Sequence, residues 1–277
     1  MPDKLYTDDL IINALKEDMP FGDITTDNTV KPGTRTKAVL IAKEELVVAG
    51  TEIFERVFML MDEGTAFKWH AQDGDRVTKG FVFLEFEGDA SVLLKGERTA
   101  LNILQHMSGI ATKTAEFCLR VEDLPVKIVD TRKTMPGLRQ LEKYAVRAGG
   151  GSNHRFCLSD GVLIKDNHIK AAGGITQAVK QVRAGIQHTV KIEVEAETLE
   201  QVAEALEAGA DIIMFDNMNP EMMKQAAKLV GGRALTEASG DVNLDRVRDV
   251  ALTGVDLISV GELTHTVKAA NISMRFV

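Results

Sequence analysis

No apolar run in this sequence approaches the roughly 20 residues that a membrane-spanning helix requires. The opening residues, MPDKLYTDD, are polar and acidic and read as neither a signal nor a transit peptide. Only two cysteines, Cys118 and Cys157, occur, too few for a disulfide framework and in keeping with a reducing compartment. Neither CxxC nor HExxH spacing is present, which argues against a zinc site. A basic excess is also missing. The formal charge is −8, the opposite of what a nucleic-acid-binding domain carries. These absences lead to the expectation of a cytoplasmic protein acting on small molecules, with no nucleic-acid or membrane partner. The 277 residues suffice for one large or two ordinary domains with real cores.

Against the acidic background, residues 129–169 stand out: VDTRKTMPGLRQLEKYAVRAGGGSNHRFCLSDGVLIKDNHI. They gather Arg132, Lys133, Arg139, Lys143, Arg147, His154, Arg155, Lys165 and His168, with fewer acids (Asp130, Glu142, Asp160 and Asp166). A local basic excess in an acidic chain points to a pocket for a small, highly charged anion.

Periodicity organises the rest. Residues 8–16 read as a short helix, 17–26 as a loop punctuated by Pro and Gly, and 36–49 as strand material. Residues 51–62 form an amphipathic helix with Ile53, Val57, Phe58 and Met61 on one stripe. Strands follow at 65–71 and 81–88, with Trp69 and the Phe cluster at 81–86 as core. Residues 89–123 carry a long helical pattern capped by Asp89 or Ser91, with Gly109 as its break and a domain boundary near 110. Regular β/α alternation comes next. Strands are expected at 126–130, 161–165, 190–195, 211–216, 233–238 and 256–261. Helices are expected at 136–148, opened by Pro136, and at 175–185, 198–209, 219–232 and 243–254. Segments 203–217 and 248–262 repeat a helix–Gly–x–Asp–strand layout. Such alternation predicts a parallel sheet, closed as an α/β barrel or open as a doubly wound sheet. No GxGxxG follows the first of these strands, which disfavours the dinucleotide-binding version.

In parallel α/β folds, function collects at the C-terminal ends of the strands. Read by position alone, those ends are Asp130-Thr131-Arg132-Lys133, Lys165-Asp166-Asn167-His168, Glu195, Asp216-Asn217, Glu237-Ala238-Ser239-Gly240 and Gly261-Glu262. The first two bring cations, the next two carboxylates, and the last two small-residue turns able to cradle a phosphate with main-chain N–H groups. Two carboxylates opposite a phosphate cradle suit Mg²⁺. The pattern predicts a site for a phosphorylated, Mg²⁺-chelating compound beside a second anion.

The stretches DTRKTMPGLRQLEKYAVRAGGGSNHR, LIKDNHI, ERTALNILQHMSGIAT and EASG resemble those of the quinolinate phosphoribosyltransferases, the carboxylating nicotinate-nucleotide pyrophosphorylases. EDMPFGDITT extends the resemblance over nearly the whole chain. It implies an α/β fold in two parts: an N-terminal α/β sandwich, residues 1–110, joined by the final strand 271–277, and a C-terminal open, incomplete α/β barrel of parallel strands, 111–270, that carries the active site. It implies a pentosyltransferase of NAD biosynthesis. Quinolinate and 5-phosphoribosyl-1-pyrophosphate would give nicotinate mononucleotide, pyrophosphate and CO₂, with Mg²⁺ as cofactor. By the same resemblance, Arg132, His154, Arg155 and Lys165 hold quinolinate. Arg98 reaches the site of a partner subunit, so the enzyme is a homodimer with shared sites. Lys133 lies between the substrates, Glu195 and Asp216 hold the Mg²⁺–pyrophosphoryl end, and Ser239, Gly240, Gly261 and His265 surround the 5-phosphate. Lys133, Glu195, Asp216 and Arg98 are the catalytic set.

One position departs from the family, which commonly has a second Gly where Asp241 stands. A carboxylate beside a phosphate is unfavourable, so either Asp241 turns away to cap the following helix, which Asn243-Leu244 would also allow, or the phosphate relies more on Gly261 and on main chain; the cap is the expectation. Arg139, Lys143 and Arg147 read as a solvated helix face. His70, His106 and His188 read as structural or exposed, and both cysteines as inert. Glu237 stands equally as a metal ligand or a plain strand-end acid. Two other functions are open to such a chain: turnover of a different aromatic acid, as in the molybdenum-transport-associated homologue, and non-catalytic anion binding. Glu195, Asp216 and Arg98 speak against the latter.

Overall fold

The computed structural model describes residues 2–277. In chain order the elements are α1 (Lys4–Asp18), α2 (Ile24–Thr29), β1 (Arg35–Ala42), β2 (Leu46–Val47), α3 (Thr51–Met59), β3 (Ala66–Trp69), β4 (Arg76–Val77), β5 (Val82–Asp89) and α4 (Ala90–Arg120). They continue with β6 (Lys127–Val129), α5 (Arg139–Ala148), β7 (Val162–Ile164), α6 (Asp166–Ala172), α7 (Ile175–Gly185), β8 (Ile192–Ala196) and α8 (Leu199–Glu207). The last are β9 (Ile212–Asp216), α9 (Pro220–Val230), β10 (Leu235–Ser239), α10 (Val247–Ala251), β11 (Leu257–Ser259), α11 (Glu262–His265) and β12 (Ile272–Phe276). The chain divides into two compact units. The first holds the residues up to Ala115, Met135–Gly150 and Thr266–Val277, and the second holds Glu116–Thr134 and Gly151–His265.

The first unit is built on a four-stranded sheet in the order β12-β1-β5-β3, antiparallel throughout. The final strand thus returns to pair with the first. The apolar stripe of α3 buries Ile53, Phe54, Val57 and Phe58. Phe54 and Phe58 meet Phe86 of β5 with ring centroids 5.6 and 5.5 Å apart. Each such pair is worth about 0.5–1.5 kcal/mol beyond its buried area. Phe83 and Phe86 are buried as expected, but Phe81 lies ahead of β5 and is exposed.

Three expectations fail here. Residues 24–29 form α2, not loop, because Asp23 Oδ1 accepts the N–H groups of Thr25 and Thr26 as an N-cap. Pro136 lies in a turn and α5 begins only at Arg139. Gly109 does not break α4, which runs through it. A Cβ at 109 would lie 2.2 Å from the carbonyl oxygen of Lys268, so the glycine lets another stretch of backbone cross the helix. That crossing is held by Ala270 N–H donating to Gln105 O and by Gln105 Nε2 donating to Ile272 O.

The second unit carries a six-stranded parallel sheet in the order β6-β11-β10-β9-β8-β7. Strands β7 to β11 are neighbours in sequence order, and the first strand, β6, lies beside the last. A doubly wound sheet would reverse its order at a switch point. Here the neighbours instead run round a ring with one gap, between β6 and β7, which is an open barrel. Ser152 adds one rung to the free edge of β6: its N–H donates to Ile128 O and its carbonyl accepts from Asp130 N–H. Helix α5 follows β6 in the chain but belongs to the first unit.

The internal repeat has a structural job. Gly209 and Gly254 take left-handed φ values of 82° and 88° after α8 and α10. Asp211 Oδ2 then accepts Ile192 N–H at 2.8 Å, and Asp256 Oδ2 accepts Thr236 N–H at 2.8 Å. Each aspartate staples the start of one strand to the start of its neighbour. Helix α10 is shorter than its sequence pattern, because residues 241–246 form a turn. Among the described residues no helix is long and apolar enough to cross a membrane.

Candidate active site

A cavity of about 1020 Å³ opens at the C-terminal ends of the second unit's strands. Every strand contributes to its wall. Thr131, Arg132 and Lys133 follow β6, Lys165 and Asp166 follow β7, and Glu195 ends β8. Asp216 and Asn217 end β9, Glu237 and Ser239 lie on β10, and Gly261, Glu262 and His265 follow β11. His154 and Arg155 enter from the segment between β6 and β7. Of the expected residues, Lys133, Glu195, Asp216, Arg132, His154, Arg155, Lys165, Ser239, Gly240, Gly261 and His265 all line it. Arg98 does not. It lies exposed on α4 in the first unit.

The cationic wall is anchored on Asp130, which is fully buried at the end of β6. Its Oδ1 accepts His154 N–H at 2.9 Å and its Oδ2 accepts Asn153 Nδ2 at 2.6 Å. This ties the 153–155 loop to the strand end. Arg155 Nη1 donates to Gly161 O at 2.8 Å. Burial, and then the charge of Arg132, hold the Arg155 guanidinium below the usual arginine range. Arg132 Nε is buried and has no hydrogen-bond partner among the described residues. Two guanidiniums that repel each other, one with an orphaned donor, cost stability until an anion joins them. The wall is organised for a species with more than one carboxylate.

Behind it lies a buried group formed by His154, Glu193 and Glu237, whose ligand-type atoms all fall within 4.8 Å of one another. His154 Nδ1 accepts Arg155 N–H at 2.8 Å, which places the ring proton on Nε2. Nε2 lies 2.9 Å from Glu193 Oε2 and 3.5 Å from Glu237 Oε2. Burial first, and the Glu193 charge second, push Glu237 up to about 8. It is thus a neutral acid at pH 7 and a donor to its neighbour. Three such groups can hold a cation, but the hydrogen bonds speak otherwise. A metal-bound imidazole carries its proton on the other nitrogen, and that nitrogen here is an acceptor. The group reads as a proton-sharing cluster that fixes the His154 ring.

On the opposite wall, Lys165 Nζ forms an ion pair with Glu195 Oε1. Asp216 Oδ2 accepts Asn217 Nδ2 at 2.9 Å. Glu195 and Asp216 belong to adjacent parallel strands and present carboxylate oxygens to one cavity. An all-oxygen donor set of this kind fits Mg²⁺, which keeps part of its water shell. Gly240 has φ 99°, and a Cβ there would sit 2.1 Å from Asn217 Oδ1. Its role is to make room for the Asn217 side chain. A Cβ on Gly261 would lie 3.1 Å from both the His265 ring and Lys133 Cδ. Thr264 Oγ1 donates to Lys133 O at 2.8 Å, tying the loop after β6 to α11.

The expected helix-capping role of Asp241 is not found. The residue is left-handed, with φ 48°, and lines the cavity. Asn243 Oδ1 instead accepts the N–H groups of Asp245 and Arg246. His168 accepts Lys165 N–H through Nδ1 in the first turn of α6, a helix the pattern did not reveal. Asp130, Glu193, Asn217 and Arg246 had no assigned role. Glu193 had a signal, since residues two apart on a strand share a face and Glu195 was already placed. Arg246 had none, because only the 241–246 turn brings it to the cavity.

Residues 23–108 match the quinolinate phosphoribosyl transferase N-terminal domain and residues 110–275 its C-terminal domain. The chain is 50% identical over 265 residues to a probable nicotinate-nucleotide pyrophosphorylase [carboxylating] of Bacillus subtilis, covering 96% of this chain and 91% of that protein. It is 42% identical to a quinolinate phosphoribosyltransferase [decarboxylating] of Nicotiana glauca over 95% of this chain and 80% of the relative. The crystal structure of NadC from Streptococcus pyogenes superposes with a TM-score of 0.96 at 43% identity, over 99% of this chain and 98% of that one. With both domains matched in order and nearly the full length aligned, the chain belongs to the quinolinate phosphoribosyltransferase family.

Proposed function

We propose that the cavity of the second unit transfers the phosphoribosyl group of 5-phosphoribosyl-1-pyrophosphate to quinolinate and then expels CO₂, giving nicotinate mononucleotide and pyrophosphate for NAD biosynthesis. The observation that carries this reading is the pair Arg132 and Arg155, with the orphaned, buried Nε of Arg132 turned to no protein acceptor. A rigid pyridine with two adjacent carboxylates answers both guanidiniums, and the arginine fork suits a carboxylate better than a lysine does.

The chain's own groups divide the work. Arg132 and Arg155 bind the diacid and hold its ring nitrogen toward the sugar. His154, oriented by Glu193, Glu237 and the Arg155 N–H, keeps that wall in register. Lys165 releases Glu195 when the diacid arrives, so one carboxylate becomes free for the phosphoribosyl donor. Glu195 and Asp216 would hold Mg²⁺, which when bound would neutralise charge on the departing pyrophosphate. Lys133 lies between the two substrates and steadies charge as the ribose carbon–oxygen bond breaks. Ser239 and the main chain at Gly240 and Gly261, with His265, take the 5-phosphate. After ribosylation the positive ring nitrogen stabilises the electron pair left on the adjacent carbon as CO₂ departs, and that carbon then takes a proton from solvent to give nicotinate mononucleotide. The protein mainly positions and neutralises.

Arg98, absent from this wall, comes from the partner subunit of a homodimer with shared sites. The two free cysteines fit a cytoplasmic setting. Mixing Arg98→Ala with Lys133→Ala protein restores part of the activity if sites are shared. Subunit exchange without recovery counts against a site shared between subunits. The substrate is tested by offering quinolinate and nicotinate separately with the donor and Mg²⁺. Product from quinolinate alone supports the reading, and product from nicotinate alone overturns it.

A further inference from the structure

We infer that Arg246 is a phosphate-holding residue of the cavity, placed there to offset Asp241. This inference rests on the reading of that end as the 5-phosphate subsite of the phosphoribosyl donor. Three observations carry it. First, Asp241 and Glu262 both line the cavity beside the Ser239–Gly240 and Gly261 turns. The Asp241 carboxylate there faces a phosphate that is close to a dianion at neutral pH, which calls for a cation beside it. Second, Arg246 lines the same wall. Its Nη1 donates to the main-chain carbonyl of Asp241 at 2.9 Å. One N–H of the guanidinium is thus used as an anchor, and its remaining fork is available to phosphate oxygens. Third, the anchor is built by the departure itself. Asp241 is left-handed, with φ 48°, which turns its carbonyl onto Arg246, and Asn243 Oδ1 fixes the Arg246 N–H in the same turn. The residue that brings an unwelcome carboxylate also aims the cation that compensates it.

The test uses the full-length protein. Ribose 5-phosphate binding is followed by calorimetry, and product formation by steady-state kinetics. Arg246→Ala is expected to weaken ribose 5-phosphate binding, and to raise KM for the phosphoribosyl donor, by about 10- to 100-fold, the scale of one charge-assisted hydrogen-bonded contact. KM for quinolinate should change less than about twofold, since the diacid wall is untouched. Arg246→Lys should recover part of the loss. Adding Asp241→Gly to Arg246→Ala should recover most of it, because glycine accepts φ 48° without strain and the carboxylate is gone. Equal ribose 5-phosphate binding by wild type and Arg246→Ala overturns the role of Arg246. A double variant no better than Arg246→Ala overturns the compensation by Asp241. Failure of the underlying reading is separate: it shows as a wild-type protein that makes no nicotinate mononucleotide.

Discussion

Replacing Glu237 by Gln should make the protein more stable at alkaline pH and leave it nearly unchanged at acid pH. Glu237 is 1% exposed on β10, and burial together with the Glu193 charge moves it from an ordinary 4.5 to about 8. In the unfolded chain the group loses its proton near pH 4.5, whereas the folded protein holds it up to about pH 8. Between those values the folded state binds the extra proton, so stability falls as pH rises. It is fully present below the unfolded pKa and lost through the folded one. The slope is at most about 1.4 kcal/mol per pH unit, which sums to a few kcal/mol across the window. Glutamine keeps the shape and the donor toward Glu193 but does not titrate. Melting curves of both proteins from pH 5 to pH 8.5 should therefore diverge. The Gln variant should match wild type at the acid end and exceed it by roughly 10 °C at the alkaline end, at about 2–4 °C per kcal/mol. Titrating groups outside the His154–Glu193–Glu237 cluster are common to both proteins and cancel in the difference. A constant offset at every pH, or a wild type that melts higher at pH 8.5, refutes the assignment of a buried neutral acid.

Other perturbations follow from the same geometry. Gly109→Ala places a methyl group 2.2 Å from the Lys268 carbonyl and should cost about 1–3 kcal/mol in denaturant unfolding; an unchanged midpoint contradicts the close crossing. Arg132→Lys exchanges a fork for a point charge and should raise KM for quinolinate at least about tenfold, with a much smaller effect on the phosphoribosyl donor. Asp130→Asn leaves one acceptor oxygen for two donors, the His154 N–H and Asn153 Nδ2, and should cost about 1–3 kcal/mol as well as weaken quinolinate binding. Wild-type binding by that variant would show that the 153–155 loop needs no anchor.

Much of the barrel was legible because its strands are apolar runs whose ends obey one rule. Strands buried on both faces read as continuous hydrophobic stretches, and each terminates in a polar or small residue. That is why Glu195 and Asp216 could be placed from sequence. What the pattern could not show was how those ends pair with one another. Lys165 and Glu195 were assigned to different substrates, yet they neutralise each other across adjacent strands. Residues whose role depends on a turn were also hidden. Gly109 reads as a helix breaker until the backbone of Lys268 is seen against it. Asp241 reads as a cap until its left-handed φ turns its carbonyl toward Arg246. The buried cluster was half visible, since Glu193 shares a face with Glu195. Its protonation was not, because that depends on the ring nitrogen that meets the Arg155 N–H.

The central claim is that one cavity joins the diacid to the sugar phosphate and then expels a carboxylate. Quinolinate labelled with ¹³C in the carboxylate next to the ring nitrogen tests this most directly, when incubated with the protein, Mg²⁺ and 5-phosphoribosyl-1-pyrophosphate. The account predicts labelled CO₂ and nicotinate mononucleotide in equal amounts, and neither when the donor is omitted. Labelled CO₂ released without the donor, or a ribosylated product that keeps the label, would contradict it.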